Sequence, residues 1–247
     1  MTTRVTTRET FLARVREEMA RTSGLFPAAP SLRPAAPLRE AAAIRSRARR
    51  ATEALLARFR VEAEQVGTVV HRAATAEEAA GVVRALAAER EAHRVATWRR
   101  SRLGAASVVA ARLAEAGLDV YDGAPEGAAG EERPAPVPRL AVTEVGLTAA
   151  DLAVAETGSL VLASGVGKGR AVSLLPACHV ALFGPDQLVE TLEEAGVMLE
   201  AWHAEPGSIG ANVVFVTGPS RTADIELTLT RGVHGPREVH AVFVDTF

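Results

Sequence analysis

The sequence predicts an α/β fold in which an open, mostly parallel sheet is flanked by helices and preceded by an N-terminal helical extension. Two observations predict it. Between Val66 and Tyr121, short apolar runs alternate with amphipathic segments of helix length, which is typical of parallel strands joined by right-handed helical crossovers. The 247 residues are 48% hydrophobic and 23% charged, which suits one or two domains with a large core and excludes a disordered chain.

The first 60 residues are predicted to form a helical extension and arm, and residues 61–247 the α/β domain. Apolar side chains at helical spacing predict two helices in this extension, over residues 1–24 and 38–59. Four prolines between the two helices exclude a continuous helix and predict an extended arm. The alternative is that these helices are the first layer of a single domain.

Local signals define the alternating elements that follow. Thr75 is a good N-cap, and Glu77 and Glu78 would lie at the positive end of its helix. Gly117 is suited to close the next helix. The predicted elements are a strand over 67–72, a helix over 76–91, a strand over 93–98, a helix over 107–116 and a strand over 118–121.

The second half of the chain is richer in predicted strands. Its apolar runs are short and are separated by glycine, proline and acidic residues. The predicted elements are a surface loop over 124–138, strands over 152–155 and 160–163 around a turn at 156–159, a strand over 179–183, a helix over 186–195, a strand over 213–217, and a hairpin-like pair over 225–229 and 239–244.

Composition excludes several classes of function. Cys178 is the only cysteine, so the chain cannot form an internal disulfide, a cysteine-ligated iron–sulfur cluster or a four-cysteine zinc site. The histidines show no metal-ligand spacing, and no metal site is predicted.

Basic residues are not interleaved with aromatics, which are only 4%, so nucleic acid is not expected to bind. No apolar stretch reaches the ~20 residues of a membrane span, and no secretory signal is apparent, which predicts a cytoplasmic protein.

The cations of the acidic C-terminal part are the most informative feature. Residues 141–247 hold 5 basic and 13 acidic side chains, and each cation lies within three residues of a glycine. Glycine allows a close approach of the backbone to a ligand, and arginine matches a carboxylate or phosphate. We therefore expect a common anion pocket at the carboxyl edge of the sheet. The alternative is that these cations pair with local acids in turns. The five are Lys168, Arg170, Arg221, Arg231 and Arg237.

Several polar side chains near these loops are candidate site residues. Glu156 interrupts an apolar run, so its carboxylate is either functional or an exposed turn residue. Ser220 and Thr222 could cap a short helix after the strand over 213–217, and His234 lies between two glycines. The predicted catalytic residues are Glu156 and His234, and the predicted ligand-binding residues are Thr157, Gly158, Arg170, Ser220, Arg221, Thr222, Asp224, Glu226 and Gly235.

Other side chains and templates point to no further chemistry. Asp224 and Glu226 alternate with apolar neighbours, so they could act as an acid–base pair or neutralise Arg221. Cys178 is expected to be a small buried residue, and His179 a structural one. The glycine-rich segment around Lys168 fits neither a P-loop nor a dinucleotide-binding fingerprint, and Ser220 does not fit a nucleophile elbow.

Four motifs resemble the LUD-domain family. They are Ala155–Leu162, Arg170–His179, Gly218–Glu226 and Gly232–Pro236, and the resemblance covers about residues 50–247. It implies a fold similar to the sugar-phosphate isomerase and CoA-transferase superfamily. It also implies a role in bacterial growth on L-lactate, in which three proteins together oxidise lactate to pyruvate. The implied partners resemble a cysteine-rich iron–sulfur subunit and a LUD domain fused to a ferredoxin-like segment, so clusters are expected only in the partners and no cofactor in this chain.

Three hypotheses of function remain open from the sequence. The first is a non-redox subunit of a lactate-oxidation system that binds a small carboxylate or phosphate. The second is a stand-alone isomerase or acyl-CoA-transfer enzyme that uses Glu156 as base or acyl acceptor. The third is an interaction or regulatory module that docks a partner through its N-terminal helix. The oligomeric state is open in each case, a homo-oligomer included.

Overall fold

A computed structural model describes residues 7–21, 34–123, 138–205, 212–223, 229–232 and 234–247. The chain divides into two compact units, Met1–Arg33 and Pro34–Phe247. In the first unit, helix α1 (Arg8–Arg21) exposes the apolar side chains of Phe11 and Met19. Among the described residues, no helix is both long enough and apolar enough to cross a bilayer.

A six-stranded parallel sheet forms the centre of the second unit, as the sequence predicted. Its strands lie in the order β1, β12, β7, β4, β2, β3, and every neighbouring pair is parallel. The central strands are buried along their length because helices cover both faces of such sheets. The strands are β1 (Thr68–Thr75), β2 (Arg94–Thr97), β3 (Asp119–Asp122), β4 (Val145–Ala149), β7 (Cys178–Phe183) and β12 (Glu238–Thr246).

Two smaller sheets complete the strand architecture. A four-stranded mixed sheet has the order β8, β5, β6, β9, in which β5 and β6 form the predicted antiparallel pair. A two-stranded antiparallel sheet is formed by β10 and β11. These strands are β5 (Leu152–Val154), β6 (Ser159–Ala163), β8 (Leu188–Val189), β9 (Val213–Val216), β10 (Arg221–Ala223) and β11 (Leu229–Arg231).

Helices of the second unit pack their apolar faces on these sheets. Phe59, Phe183 and Phe243 are fully buried in the main core, with ring centroids 5.1 Å and 5.4 Å apart in successive pairs. A second apolar cluster includes Ile44 and Met198. The helices are α2 (Pro37–Arg50), α3 (Thr52–Gln65), α4 (Ala76–Glu89), α5 (Ser107–Glu115), α6 (Pro138–Ala141), α7 (Ala171–Leu174) and α8 (Leu192–Ala204).

Local signals correctly placed the elements from β1 to β3. The Thr75 side chain caps α4 by accepting a hydrogen bond from the backbone N–H of Glu78. Gly117 has φ +91° just after α5, as a helix-closing glycine requires. Each predicted strand and helix of this region is present with ends shifted by a few residues.

The helical part of the chain differs from the prediction at three places. The helix expected over 38–59 is two helices, because the chain leaves helical geometry at Ala51. Both helices bury residues in the cores, so the division falls between Arg33 and Pro34 rather than after residue 60. The helix expected over 186–195 begins at Leu192, where the Thr191 side chain accepts a hydrogen bond from Glu194 N–H.

The strands near the C-terminus also differ. The strand over 239–244 forms no hairpin, because β12 inserts in parallel between β1 and β7. The segment after Ser220 is strand β10 and not a helix. Strand β4 was not predicted, because Gly146 and Thr148 interrupt its apolar pattern. The expected arm and the loop over 124–138 fall largely outside the described residues.

Candidate functional site

An open cleft of about 520 Å³ lies at the carboxyl edge of the six-stranded sheet. It is lined by residues that follow β2 and by residues that follow β4. These two strands are neighbours, but the chain continues from β2 toward β3 and from β4 toward β7, in opposite directions across the sheet. The cleft therefore lies at the topological switch point, where open α/β sheets bind their ligands.

The segment after β2 brings both a cation and a helix end to this cleft. Two short 3-10 turns, Arg100–Arg102 and Gly104–Ala106, lead directly into α5. The side chain of Leu103 is buried and anchors the turns, while Arg102 is exposed and lines the cleft. The amino-terminal end of α5, with its partial positive charge, lies beside the same opening.

Ion pairs neutralise two of the carboxylates that line the cleft. Asp151 accepts hydrogen bonds from Lys168 Nζ at 2.5 and 2.7 Å. Asp186 pairs with Arg49 at 2.6 Å, and this hydrogen bond lowers the pKa of the Asp186 carboxyl. Within the described part of the chain, Arg102 takes part in no ion pair. Its guanidinium is therefore not held by a carboxylate, and it gives the cleft a positive group for an anion, although the carboxylate of Glu205 also lines the cleft.

Aromatic residues are part of the lining of the cleft. Phe183, Phe247 and the half-buried Trp202 of α8 line it. Aromatic rings beside a guanidinium suit an organic anion, whose carbon skeleton packs on the rings while its charged end meets the arginine. Arg45 of α2 adds a second cation to the lining.

The glycine loop around Lys168 also lies at the carboxyl edge, but its cation is already used. The Lys168 ammonium contacts Asp151 and lies 4.5 Å from the centroid of the Trp98 ring. The backbone of Gly167 accepts a hydrogen bond from Arg99 N–H at 2.9 Å, which ties the loop to the end of β2. Here the alternative is correct, and Lys168 pairs with a local acid. Arg170 is exposed at the start of α7 and does not line the cleft.

The predicted residues around Ser220 and His234 lie at the opposite, amino edge of the sheet. Ser220 N–H donates to Pro236 O at 2.9 Å, and the backbone N–H of exposed His234 lies 3.4 Å from Ser220 Oγ. Gly235 packs against Ser220 in the same cluster. Arg237 N–H donates to Ala177 O just before β7 and β12 begin.

The expectation that the C-terminal cations share one cleft is therefore wrong for the described side chains. Lys168 lies at the carboxyl edge, whereas Arg221 and Arg237 lie at the amino edge. The reason is that β12 runs parallel to its neighbours, so the loop that precedes it reaches the edge where strands begin. Asp224 and Glu226 lie outside the described residues, and Thr222 is in β10.

Two of the family motifs, Ala155–Leu162 and Gly218–Glu226, meet instead at the C-terminal end of α3, which we call the α3 terminus (residues 63–67). A Cβ on Gly158 would overlap the backbone of Ala63, and a Cβ on Gly218 would overlap the carbonyl oxygen of Val66. Arg221 donates a hydrogen bond from Nη2 to the same Val66 oxygen. A cation at this position stabilises the negative end of the helix dipole. These residues thus contact protein backbone.

The polar side chains of the turn between β5 and β6 also have protein partners. Glu156 is half-buried, and its Oε2 accepts a hydrogen bond from Leu192 N–H at 2.9 Å, at the positive end of α8. Thr157 Oγ1 donates to Ser159 Oγ at 2.8 Å, and Ser159 Oγ lies 2.7 Å from Thr217 Oγ1. Neither Glu156 nor Thr157 lines the carboxyl-edge cleft, so their roles toward a ligand remain predictions.

Sequence reasoning missed the residues that line the cleft. Arg102 belongs to a basic run directly after the predicted strand over 93–98, and a carboxyl-edge position follows from that order. The signal was therefore present for Arg102. Trp202 and Phe247 carry no comparable signal, because only the packing of α8 and of the chain end brings them to this edge.

The profile of the LUD domain family matches residues 56–244. The chain belongs to the LUD domain family. This confirms the family resemblance of its motifs, and the match includes Arg102, the α3 terminus and both sheet edges. The α/β fold with a mostly parallel sheet is the fold described above.

Individual relatives match over a shorter part of the chain. A protein of Geobacillus sp. (strain WCH70) named Lactate utilization protein C is 39% identical over 100 residues, 40% of this chain and 42% of that protein. The protein of the same name from Bacillus licheniformis is 35% identical over 120 residues, 49% of each chain. The chain thus spans less than half the length of the curated relatives it matches. A solved structure of a DUF162 family protein from Deinococcus radiodurans is 21% identical, with a TM-score of 0.48, and covers 78% of this chain and 97% of its own.

Proposed function

We propose that this LUD-domain chain is a subunit of a bacterial L-lactate utilization system that binds a small carboxylate or phosphate and carries no redox centre of its own. The names of its relatives support the pathway. The observation that carries the binding role is the cleft at the switch point between β2 and β4, which is lined by Arg102, an arginine in no ion pair among the described residues. Its volume of about 520 Å³ is in the usual range for small-molecule sites.

In this proposal the cationic and the aromatic residues of the cleft have different tasks. The guanidinium of Arg102 offers a planar pair of donors that matches a carboxylate, and the amino end of α5 adds partial positive charge. The rings of Trp202 and Phe247 pack on the carbon atoms of the ligand. Asp151 and Asp186 are held in ion pairs, which favours binding over acid–base catalysis in this cleft. Electron transfer from lactate is then the task of iron–sulfur partner subunits.

Removing the Arg102 charge is expected to weaken anion binding by about ten- to a hundredfold, because a charge-assisted hydrogen bond contributes about 1.5–3 kcal/mol. Isothermal titration calorimetry of the wild type and of Arg102→Ala with L-lactate, pyruvate and a sugar phosphate measures this loss. Arg100→Ala is the matched control, because Arg100 is exposed on the same turn but does not line the cleft. If the wild type binds none of the three anions, or Arg102→Ala binds as tightly as the wild type, the proposed site is wrong.

The pathway itself is tested in the producing bacterium. Deletion of the gene is expected to abolish growth on L-lactate but not on pyruvate, and affinity purification of the full chain is expected to recover iron–sulfur proteins. Normal growth on lactate after deletion would contradict the proposal. The hypothesis of a stand-alone enzyme predicts a covalent adduct on Glu156, whose carboxylate instead accepts a hydrogen bond from the end of α8.

A further inference from the structure

A second cluster of chemically active side chains lies at the amino end of the central strands, away from the carboxyl-edge cleft. The parallel register of β7 and β12 places Cys178 opposite Glu238. Glu238 and His240 are two residues apart on one strand, so they share a sheet face. One donor atom from each of the three, a sulfur, a carboxylate oxygen and a ring nitrogen, lies within 4.8 Å of the other two. The sequence shows no sign of this cluster, because the cluster contains only one histidine and because Cys178 precedes Glu238 by 60 positions in the chain.

A neighbouring histidine fixes the orientation of one donor. His71 Nε2 on β1 lies 3.0 Å from His240 Nδ1, and the two rings stack with centroids 5.3 Å apart. The other nitrogen of His240, Nε2, therefore faces the cluster and lies 3.4 Å from Glu238 Oε2. Metal-binding histidines are usually held in this way, with a second group bonded to the ring nitrogen that does not bind the metal.

We propose that Cys178, Glu238 and His240 bind one divalent cation of the zinc class. Sulfur, imidazole and carboxylate together are the ligand types that such an ion prefers. Bonds of 2.0–2.3 Å at tetrahedral angles place ligand atoms about 3.3–3.7 Å apart. Glu238 Oε2 and His240 Nε2 already lie 3.4 Å apart, and no separation in the cluster exceeds 4.8 Å. Cys178 and His240 are buried, whereas Glu238 is half-exposed, so an ion would reach the cluster, and a water would complete its coordination, from the side of Glu238.

Arg90 supplies the positive charge of this cluster in the metal-free protein. Its Nη2 donates to the Glu238 carboxylate and lies 3.4 Å from His240 Nε2. The guanidinium also donates from Nη1 to Leu86 O at 2.6 Å and to Glu89 Oε2 at 3.4 Å, whereas its buried Nε has no hydrogen-bond partner among the described residues. An incoming ion must displace Nη2 from the carboxylate, so arginine and metal compete for one position.

Binding also deprotonates Cys178, because a thiol that coordinates a metal ion is present as the thiolate. Metal binding therefore releases a proton from this side chain.

Titration of the full chain with Co²⁺, followed by absorption spectroscopy, tests the site. We expect one ion per chain and a thiolate-to-cobalt charge-transfer band, which Zn²⁺ abolishes by displacement. Cys178→Ser is expected to lose the band, and Glu238→Gln to bind at least tenfold more weakly. His203→Ala is the control, because His203 is exposed on α8, has its own partner in Leu199 O and is not one of the three clustered residues. Absence of the band in the wild type, or its persistence in Cys178→Ser, would overturn the proposal.

The competition with Arg90 supplies a second, independent readout. Arg90→Gln is expected to bind Co²⁺ at least tenfold more tightly than the wild type, because the competing cation is gone. Circular dichroism and thermal unfolding confirm that each variant is folded before titration. Equal or weaker binding by folded Arg90→Gln would contradict the site. Anion affinity in the carboxyl-edge cleft is expected to be unchanged in all of these variants, so this proposal and the proposed function fail separately.

Discussion

Gly158→Ala is expected to lower the free energy of unfolding by about 3 kcal/mol or more, since it combines backbone strain with overpacking. Gly158 has φ +62°, a conformation that residues with a side chain rarely adopt. A Cβ at this position would also overlap the backbone nitrogen and Cα of Ala63 in α3. Because both partners are main chain, neither can move away as a flexible side chain would. The turn between β5 and β6 must therefore separate from the α3 terminus.

Two control variants divide this loss into its parts. Gly117→Ala also introduces a side chain at positive φ, but no heavy atom lies within 4 Å of its Cβ, so it measures the conformational cost alone. Gly165→Ala has open space and no positive φ, and is expected to change stability little. Urea unfolding, followed by circular dichroism, gives the change in the free energy of unfolding for each of the three variants. If Gly158→Ala costs no more than Gly117→Ala, the turn is not packed on α3 as described.

Phe59→Ala is expected to cost about 3–5 kcal/mol of stability, as for other large aromatic side chains deleted from a core. Phe59 is fully buried, and its ring lies 5.1 Å from that of Phe183 on β7. Phe183 in turn packs on Phe243 of β12, so the three rings join α3 to the two central strands. Removal of Phe59 leaves a cavity that these rigid elements cannot fill.

Val61→Ala on the same helix is the matched control, because Val61 is 54% exposed and its truncation leaves no cavity. Its expected cost is below about 1 kcal/mol. Chemical denaturation of both variants measures the difference. A similar cost for the two variants would show that α3 does not pack on the sheet through Phe59.

The sequence predicted those parts of the fold that depend on short-range signals. The N-cap at Thr75 and the helix-closing Gly117 act through neighbours a few residues away, and both lie where they were expected. The break at Ala51 has no such signal, because the apolar stripe continues from α2 into α3 without a proline or glycine.

The candidate site depended on long-range order, which the sequence does not show. Arg221 and Arg237 were expected beside Lys168, but the parallel insertion of β12 between β1 and β7 brings the two arginines to the amino edge. The same insertion places Cys178 beside Glu238. Pairing between strands far apart in the chain thus places the predicted site residues at two different edges of the sheet. It also brings together the three residues of the proposed metal site.

The family motifs therefore have a structural explanation that does not require a ligand. Glycine at positions 158 and 218 permits two turns to pack on the α3 terminus, and Arg221 donates to the carbonyl oxygen of Val66, the C-cap residue of that helix. Ligand binding is instead proposed for the cleft that Arg102 lines.

Unfolding and anion binding, measured side by side in Arg221→Ala and Arg102→Ala, test this division of tasks most directly. Arg221→Ala is expected to lose about 1 kcal/mol of stability, discounted for the exposure of Arg221, and to bind the anion as tightly as the wild type. Arg102→Ala is expected to keep its stability and to lose binding. If Arg221→Ala loses anion binding at full stability while Arg102→Ala binds normally, the assignment of Arg221 to stability and Arg102 to binding is contradicted. The ligand would then lie at the amino edge.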